Sequence, residues 1–186
     1  FRAQGHRTEW LPLGCDPEIH RPGALPVEFD VGFVGSLVEP RRVRLIEELM
    51  GHFRVYVDRW FLEDMALAFS RSHIVWNSAA NEDLNMRVFE ALAAGSFLLT
   101  ERLPEEAGLA ELFEDGEHLA LYDEDELVER VRYYLERPDE RARIAERGRA
   151  EALAHHTYDH RVARMLEVAA SLPRRERPVP ATATLV

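Results

Sequence analysis

Short apolar runs alternate along the chain with longer stretches in which apolar residues recur every three to four positions. The runs are typical of buried strands, and the recurrence every three to four positions is typical of helices that pack one face on a sheet. The predicted strands are Phe29–Ser36, Phe53–Val57, His73–Asn77, Ser96–Thr100 and His118–Tyr122. One predicted helix begins at Pro40, a second covers Phe61–Ser70, a third ends before Gly95 and a fourth covers Ala107–Phe113. This order predicts an α/β fold with a Rossmann-like, doubly wound parallel sheet of about five to six strands.

The stretch Asn81–Thr100 combines a predicted helix start, an apolar helix face, a glycine and a buried strand. Asn81 or Asp83 is expected to cap the helix, because either side chain can accept hydrogen bonds from the first unpaired N–H groups. The apolar face consists of Leu84, Val88, Phe89 and Leu92. Gly95 is expected to end the helix in the left-handed conformation that glycine favours. A helix leading into a strand that is apolar throughout predicts a parallel sheet covered on both faces.

Both ends of the chain differ from this pattern. Residues 1–26 contain repeated prolines and glycines and are predicted to be a linker and the end of a missing N-terminal domain. Residues 27–172 form the predicted Rossmann-like domain, which closes with a helical C-terminal extension. The three helices of this extension, expected to expose a salt-bridged face, are Glu124–Arg137, Pro138–Ala154 and Tyr158–Leu172. Residues 173–186 are predicted to be a disordered tail.

The composition narrows the classes of partner. The 186 residues carry a formal net charge of −11, and 46% of them are hydrophobic, which is an ordinary globular composition. This charge disfavours nucleic acid or an anionic membrane surface as a partner. No apolar run approaches the roughly 20 residues of a membrane helix and no signal peptide is recognisable, so no transmembrane segment is predicted. A single cysteine, Cys15, excludes an internal disulfide and fits a reducing, cytoplasmic compartment.

Two candidate positions lie where the first predicted strand meets its helix. Ligands of open α/β sheets bind outside the carboxyl ends of the strands, and Gly35 and Ser36 would let a phosphate approach the backbone there. A plain steric need for glycine in this turn is the alternative. Arg41 and Arg42 oppose the helix dipole in the first turn, which suggests an anion nearby. The alternative for these arginines is neutralisation by Glu39 or by other carboxylates.

A third candidate position is Glu90, in the middle of the helix that precedes Gly95. A glutamate there could accept hydrogen bonds from sugar hydroxyls, or it could form a local i,i+3 pair with Arg87. Metal binding is not expected. The histidine cluster of the chain, for which packing at a helix end is the favoured role, consists of His155, His156 and His160.

The spacing Glu82-x7-Glu90, followed by Ala91–Gly95 and a buried strand, resembles the E-x7-E signature of retaining glycosyltransferases with the GT-B fold. Several phrases in the same order resemble the CgeB-like group of that superfamily: FDVGFVGSL, NMRVFEALAAGSFLLT, LVERVRYYLERPDERARIAERG and HTYDHRV. The phrase LPLGCDPEIHRP resembles its interdomain linker. The resemblance covers the chain from Trp10 to about Leu166.

The resemblance implies the C-terminal half of a two-domain enzyme that uses a nucleotide-diphosphate sugar as donor, with a second Rossmann-like domain on its N-terminal side and an acceptor that the sequence does not identify. It implies that Glu90 binds the donor ribose and that Glu82, as a catalytic residue, holds donor-sugar hydroxyls near the reacting carbon. It implies that Arg87, also catalytic, and one of Arg41 or Arg42 neutralise the leaving diphosphate, so that neither metal nor cofactor is required. The remaining donor-binding groups that it implies are Gly35 and Ser36 and, facing them, the N–H groups of Leu84, Asn85 and Met86.

Two other functions fit the same residues. One is a non-catalytic interaction module that keeps the fold and binds a partner through its C-terminal helices, and Asp83, which would repel a phosphate, favours it. The other is a sugar-nucleotide epimerase or hydrolase, which can share this architecture. An open cleft faced by Glu82, Arg87 and Glu90 together would favour the transferase. Burial or mutual pairing of these side chains would favour the module.

Overall fold

The computed structural model describes residues 4–5 and 8–172 of the chain. Among these residues, five parallel strands form one sheet in the order β2-β1-β3-β4-β5. The strands are β1 (Phe29–Val34), β2 (Val55–Asp58), β3 (Ser72–Asn77), β4 (Leu98–Glu101) and β5 (Ala120–Tyr122). The helices are α1 (Pro40–Met50), α2 (Leu62–Phe69), α3 (Met86–Ala93), α4 (Leu109–Leu112), α5 (Leu127–Leu135), α6 (Pro138–His155) and α7 (Tyr158–Ser171). The predicted Rossmann-like, doubly wound sheet with a helical C-terminal extension is confirmed.

The strand order reverses at β1, which lies between β2 and β3. Val31 of β1 is paired with Val55 of β2 on one side and with Ile74 of β3 on the other. The chain leaves β1 through α1 toward one edge and returns through α2 to the opposite side of β1. The loops that follow β1 and β3 therefore diverge and leave a crevice, which is where sheets of this order bind ligands.

Consecutive residues of the central strands contribute to two apolar cores, one on each face of the sheet. Val75 packs in the cluster that contains Phe89 of α3. The next residue, Trp76, packs in the cluster that contains Leu45 of α1. Successive side chains of a strand point to opposite faces, so strands that are apolar throughout are what a sheet with two covered faces requires.

The helix predicted to be capped by Asn81 or Asp83 begins later, at Met86, and that part of the prediction is wrong. After β3 the chain first crosses toward β4, where the N–H of Ala79 donates to the carboxylate of Glu101. Glu82 then adopts a left-handed φ of 53°, a conformation that interrupts a right-handed helix. The segment before Met86 is therefore a loop at the carboxyl edge of the sheet.

The end of α3 follows the prediction. Gly95 has a φ of 74°, and β4 begins three residues later. α3 also packs on α6, because Gly148 lies against the side chain of Leu92 and the carbonyl oxygen of His118. A Cβ atom at Gly148 would lie 2.0 Å from that oxygen, so only glycine permits this approach.

The chain before β1 runs along the C-terminal helices. The N–H of Cys15 donates to the carbonyl of His156 at 3.0 Å, and the N–H of Tyr158 donates to the carbonyl of Cys15 at 2.9 Å. Burial raises the pKa of the Cys15 thiol to about 11. The predicted tail, residues 173–186, lies outside the described residues. Within residues 8–172, none of the helices has the length and apolar character needed to cross a membrane.

Candidate functional site

A cavity of about 550 Å³ lies at the carboxyl ends of β1 and β3, where the strand order reverses. We call it the central cavity. The polar residues that line it are Ser36, Arg42, Asn77, Ser78, Asn81, Asp83, Asn85, Arg87 and Glu90. Its place in the sheet and its polar lining make it the candidate ligand site of the domain.

Arg42 reaches from α1 into the central cavity and connects the two loops that border it. Its Nη1 donates to the carbonyl oxygen of Ser36 at 2.8 Å, and its Nη2 donates to that of Ser78 at 2.7 Å. The guanidinium carbon lies 5.4 Å from the centroid of the Phe33 ring. Carbonyl oxygens and an aromatic face hold this guanidinium, so its positive charge stays available to a ligand.

Arg87, in the first turn of α3, presents a second cation to the same cavity. Its Nη1 donates to Oε2 of Glu90 at 3.2 Å and contacts the sulfur of Met65. Burial lowers the pKa of Arg87; the charge of Glu90 opposes this effect and the charge of Arg42 adds to it. Two guanidinium groups that repel each other across a cavity favour an anion as ligand.

Glu90 lines the central cavity although only 7% of it is exposed. Besides Arg87, its carboxylate faces His20, in the segment before β1, with 3.6 Å between Nε2 and Oε1. His20 was not predictable as a site residue, because a histidine in an irregular, proline-containing segment carries no periodic signal. The carboxylate is held from two sides and can still accept hydrogen bonds from hydroxyl groups of a ligand.

The start of α3 also lines the central cavity, through Asn85 and Met86. Nδ2 of Asn85 donates to Oδ1 of Asn77 at 3.4 Å, and the Asn85 side chain does not cap the helix. The first N–H groups of a helix attract anions, which reinforces the effect of the two arginines. Leu84, in contrast, lies in a neighbouring cavity together with the linker residues Trp10–Leu13.

Glu82 lies apart from Glu90. It is exposed and lines two neighbouring cavities, one with the linker residues Trp10–Leu13 and the other with Arg41. The separation arises because Glu82 belongs to the loop before α3, so the seven intervening residues do not place both carboxylates on one helix. Asp83, which the resemblance did not assign to the site, lines the central cavity instead.

Arg41 lies outside the central cavity and is neutralised by carboxylates. Its Nη1 donates to Glu101 and its Nε to Glu124, both at 2.6 Å. Burial disfavours its charge, but the hydrogen bonds to Glu101 and Glu124 outweigh this and raise the pKa of Arg41. Of the two arginines expected near the ligand, the structure therefore brings Arg42 to the central cavity and turns Arg41 toward β4.

Glu39 occupies the start of α1. Its carboxylate accepts hydrogen bonds from the backbone N–H groups of Arg41 at 2.8 Å and of Arg42 at 2.7 Å. These bonds, the one from Arg41 first, lower the pKa of Glu39. The sequence left open that Glu39 neutralises the two arginines. In the structure its carboxylate bonds to their backbone N–H groups and so neutralises the start of the helix.

Gly35 has the plain steric role that the sequence left open. Its N–H donates to the carbonyl of Asp58 at 2.9 Å, so this donor is already used. A Cβ atom at Gly35 would lie 2.8 Å from the ring of Phe33. Glycine here lets the Phe33 ring pack beneath Arg42, while Gly35 and Ser36 form one border of the central cavity.

An apolar wall of the central cavity comes from the start of α2, through Phe61, Leu62 and Met65. Phe61 is 66% exposed, and Leu62 has a left-handed φ of 53°. The sequence pattern predicts an ordinary amphipathic helix here and does not predict its position at the cavity. The available signal was a pair of large apolar residues at a helix start, where polar residues are usual.

Two of the three clustered histidines, His156 and His160, have structural roles, and His155 is exposed. His160 takes part in the capping box of α7 with Thr157. His156 packs against the ring of Phe113, 4.8 Å between centroids, and burial lowers its pKa to about 4. In the described part of the chain, no group of three or more His, Cys, Asp and Glu side chains is arranged to hold a metal ion.

Comparisons with solved structures show similarity to glycosyltransferases. The chain is similar to Alr3699/HepE of Anabaena in complex with UDP-glucose, with a TM-score of 0.61 and 17% identity over 76% of this chain and 48% of that one. Sucrose-phosphate synthase (tll1590) of Thermosynechococcus elongatus gives a TM-score of 0.66 and 11% identity, over 86% of this chain and 51% of that one. The C-terminal domain of the group 1 glycosyl transferase LpcC of Francisella tularensis gives a TM-score of 0.56 and 12% identity, over 76% of this chain and 97% of that domain.

The chain thus spans about half the length of the first two structures and nearly the whole of the third, which is a C-terminal domain. A search of the curated proteins gave no match. Residues 40–167 match the model of the family described as Glycosyl transferase-like. The chain therefore belongs to the Glycosyl transferase-like family, and its fold is that of the C-terminal half of a GT-B glycosyltransferase.

Proposed function

We propose that this domain binds the nucleotide-diphosphate sugar donor of a retaining, metal-independent glycosyltransferase of the CgeB-like group. The observation that carries the proposal is the pair of cations, Arg42 and Arg87, that face one cavity at the reversal of the strand order. Burial lowers the pKa of Arg87 and the charge of Arg42 lowers it further, so a diphosphate held by both arginines would relieve their repulsion.

The same residues would assist the chemistry. Glycosyl transfer from such a donor builds negative charge on the departing diphosphate, and the guanidinium groups of Arg42 and Arg87, the latter turning from Glu90 to the diphosphate, would lower the barrier without a metal ion. Glu90 would accept hydrogen bonds from the ribose hydroxyls. Met86 and Arg87 at the start of α3 would add backbone N–H groups for the phosphate.

The base of the donor is the least determined part. HepE was solved with UDP-glucose and with UDP and glucose, which makes UDP the first nucleotide to test. The apolar wall at Phe61 and Leu62 offers a surface for a nucleobase. Transfer itself would require an acceptor and a second Rossmann-like domain, so the chain alone is expected to bind nucleotide without transferring sugar.

A second candidate is a nucleotide-binding module without transferase activity. Two observations favour it: Glu82 lies away from Glu90, and Asp83 brings a carboxylate into the central cavity. The burial of Glu90 and its pairing with Arg87 also favour it. Arg42, which is not paired with a carboxylate in this way, favours ligand binding in either case.

The test is a calorimetric titration of the chain with UDP, GDP and TDP, in EDTA and again with Mg²⁺. We expect one nucleotide to bind in EDTA and the Arg87→Gln and Glu90→Gln variants to bind it more weakly. Binding that is indifferent to both substitutions would refute the assignment of the site. With the full-length protein, release of a product of retained anomeric configuration would establish the transferase, and nucleotide binding without any product would favour the module.

A further inference from the structure

His20 is a buried polar residue of the linker that the proposed chemistry leaves without a role. Only 5% of it is exposed, and its Nε2 has no hydrogen-bond partner among the described residues. This atom faces the central cavity through one intervening group, the carboxylate of Glu90, whose Oε1 lies 3.6 Å away. A buried N–H group without a hydrogen bond is unfavourable. The fact that Nε2 stops just beyond hydrogen-bond distance of a carboxylate therefore needs an explanation.

The hydrogen bonds of the imidazole define which nitrogen faces Glu90 as a donor. Nδ1 accepts from the backbone N–H of Asp16 at 3.2 Å, so the proton of the neutral ring is on Nε2. The backbone N–H of His20 in turn donates to the carbonyl of Asp16 at 2.8 Å. These two bonds close a turn that holds the ring in place and directs an N–H donor at Glu90.

Arg87 and His20 approach different oxygens of the same carboxylate. Nη1 of Arg87 is 3.2 Å from Oε2, and Nε2 of His20 is 3.6 Å from Oε1. If Arg87 turns toward a bound diphosphate, as the proposed function requires, Glu90 loses that partner. His20 then supplies the remaining buried donor.

We propose that His20 is a positioning residue that holds the Glu90 carboxylate at the wall of the central cavity when Arg87 engages the diphosphate. The carboxylate thereby stays oriented toward the ribose hydroxyls instead of following Arg87. The inference rests on the proposed function, because it assumes a nucleoside diphosphate in the central cavity. It also makes the linker a direct contributor to the donor site.

The test combines calorimetry with NMR of the ring nitrogens, on the 186-residue chain. We expect His20→Ala to weaken UDP binding about five- to tenfold and His20→Gln, which keeps a donor, to stay within about twofold. In a Glu90→Gln background, His20→Ala should add little, since the role of His20 acts through that carboxylate. With 2′,3′-dideoxyuridine diphosphate, which lacks the ribose hydroxyls, the same substitution should have little effect. The exposed histidine His52 provides the control, as His52→Ala should change nothing.

The ring nitrogens give a readout that needs no nucleotide. We expect the proton of His20 on Nε2 and a change in its resonance on Glu90→Gln. A proton on Nδ1, or a loss of affinity for His20→Ala that persists in the Glu90→Gln background, would overturn the inference. If the parent chain binds no nucleoside diphosphate while the ring signals are as expected, the proposed function fails, and the inference falls with it for that reason.

Discussion

Two helices, α1 and α3, begin beside the crevice at the carboxyl edge of the sheet, and their first turns carry Arg41 and Arg42 on α1 and Arg87 on α3. At α1 the charge of Arg41 is balanced within the protein, whereas Arg42 bonds to the carbonyl oxygens of Ser36 and Ser78 and faces the central cavity. Glu39 accepts the N–H groups of the first turn, and Arg41 is bound by Glu101 and Glu124. No ligand is needed to explain this arrangement.

At α3 the balance is incomplete. The side chain of Asn85 does not cap the helix, and Arg87 faces a cavity that also holds Arg42. The carboxylate available to Arg87, that of Glu90, faces the same cavity and His20. The difference shows that an arginine near a helix start indicates an anion site when carboxylates of the protein do not fully neutralise its charge.

Substitution of Arg87 tests this difference most directly. Arg87→Gln should weaken UDP binding by roughly 50-fold, because it removes a charge-assisted hydrogen bond from a site with few other donors. Arg41→Gln is the matched control and should leave the affinity within about twofold. Calorimetry on both variants measures the two values, and equal losses would show that the two helix starts do not differ in function.

Acidification should lower the free energy of unfolding through groups near α3 and near α1 in different pH ranges. His156 packs beneath α3, 5.9 Å from the ring of Phe89, and burial lowers its pKa to about 4 from a usual 6.5. Above pH 6.5 the folded and unfolded states are both neutral at this residue. As the pH falls from 6.5 toward 4, the unfolded state takes up the proton first, so the free energy of unfolding should drop by about 2 kcal/mol between pH 7 and pH 5. Urea unfolding of the chain and of His156→Phe measures this, and the exposed His52→Gln is the control.

The carboxylates of the α1 side should respond only at lower pH. Hydrogen bonds from Arg44 and Arg41 lower the pKa of Glu124, so its stabilising contribution is complete above the usual glutamate pKa of 4.5 and is lost as the pH falls through the lower folded value. Glu124→Gln should therefore leave the change between pH 7 and pH 5 intact. A change in that range that depends on Glu124 and not on His156 would contradict this assignment.

Substitution of Glu101 tests the α1 side, as substitution of Arg87 tests the α3 side. It is 5% exposed, and its carboxylate accepts from Arg41 and from the N–H of Ala79. Glu101→Gln should lower the free energy of unfolding by about 1 kcal/mol, since it removes the charge that pairs with Arg41 but keeps an acceptor. UDP affinity should stay within about twofold. A large loss of affinity would mean that the neutralised side also contributes to the ligand site.

Glu82 should show the smallest effect. Because it is exposed and lies outside the central cavity, Glu82→Gln should change UDP affinity less than about twofold. Glu90→Gln is the comparison and should weaken binding more strongly. If Glu82→Gln leaves UDP affinity intact but weakens binding of UDP-glucose, Glu82 contacts the sugar as the resemblance implies.

Much of the fold was predictable because burial leaves a periodic signal. The apolar runs gave all five strands of the described residues to within a few positions, and Gly95 gave the end of α3. The start of α3 was not predictable from capping residues. A tertiary hydrogen bond from Ala79 to Glu101 and the left-handed φ of Glu82 decide where that helix begins.

The candidate site was predictable only in part. Arg42, Arg87 and Glu90 were named from the sequence, and the structure brings them to one cavity. Arg41 and Glu82 were named with the same reasoning and lie elsewhere. His20 left no periodic signal, and Phe61 left only that of a large apolar residue at a helix start, because both meet α3 only in the folded chain.

The sequence by itself determined the order of the strands along the chain, the covered faces of the sheet and the residue types at its carboxyl edge, since these depend on local spacing and burial. The tertiary structure alone decided which of those residues share a cavity and which charges are already neutralised. Neutralisation depends on carboxylates that are distant along the chain, such as Glu101 and Glu124 beside Arg41. No local pattern records such a pair, because a charge acts on whatever lies within a few ångströms of it in space.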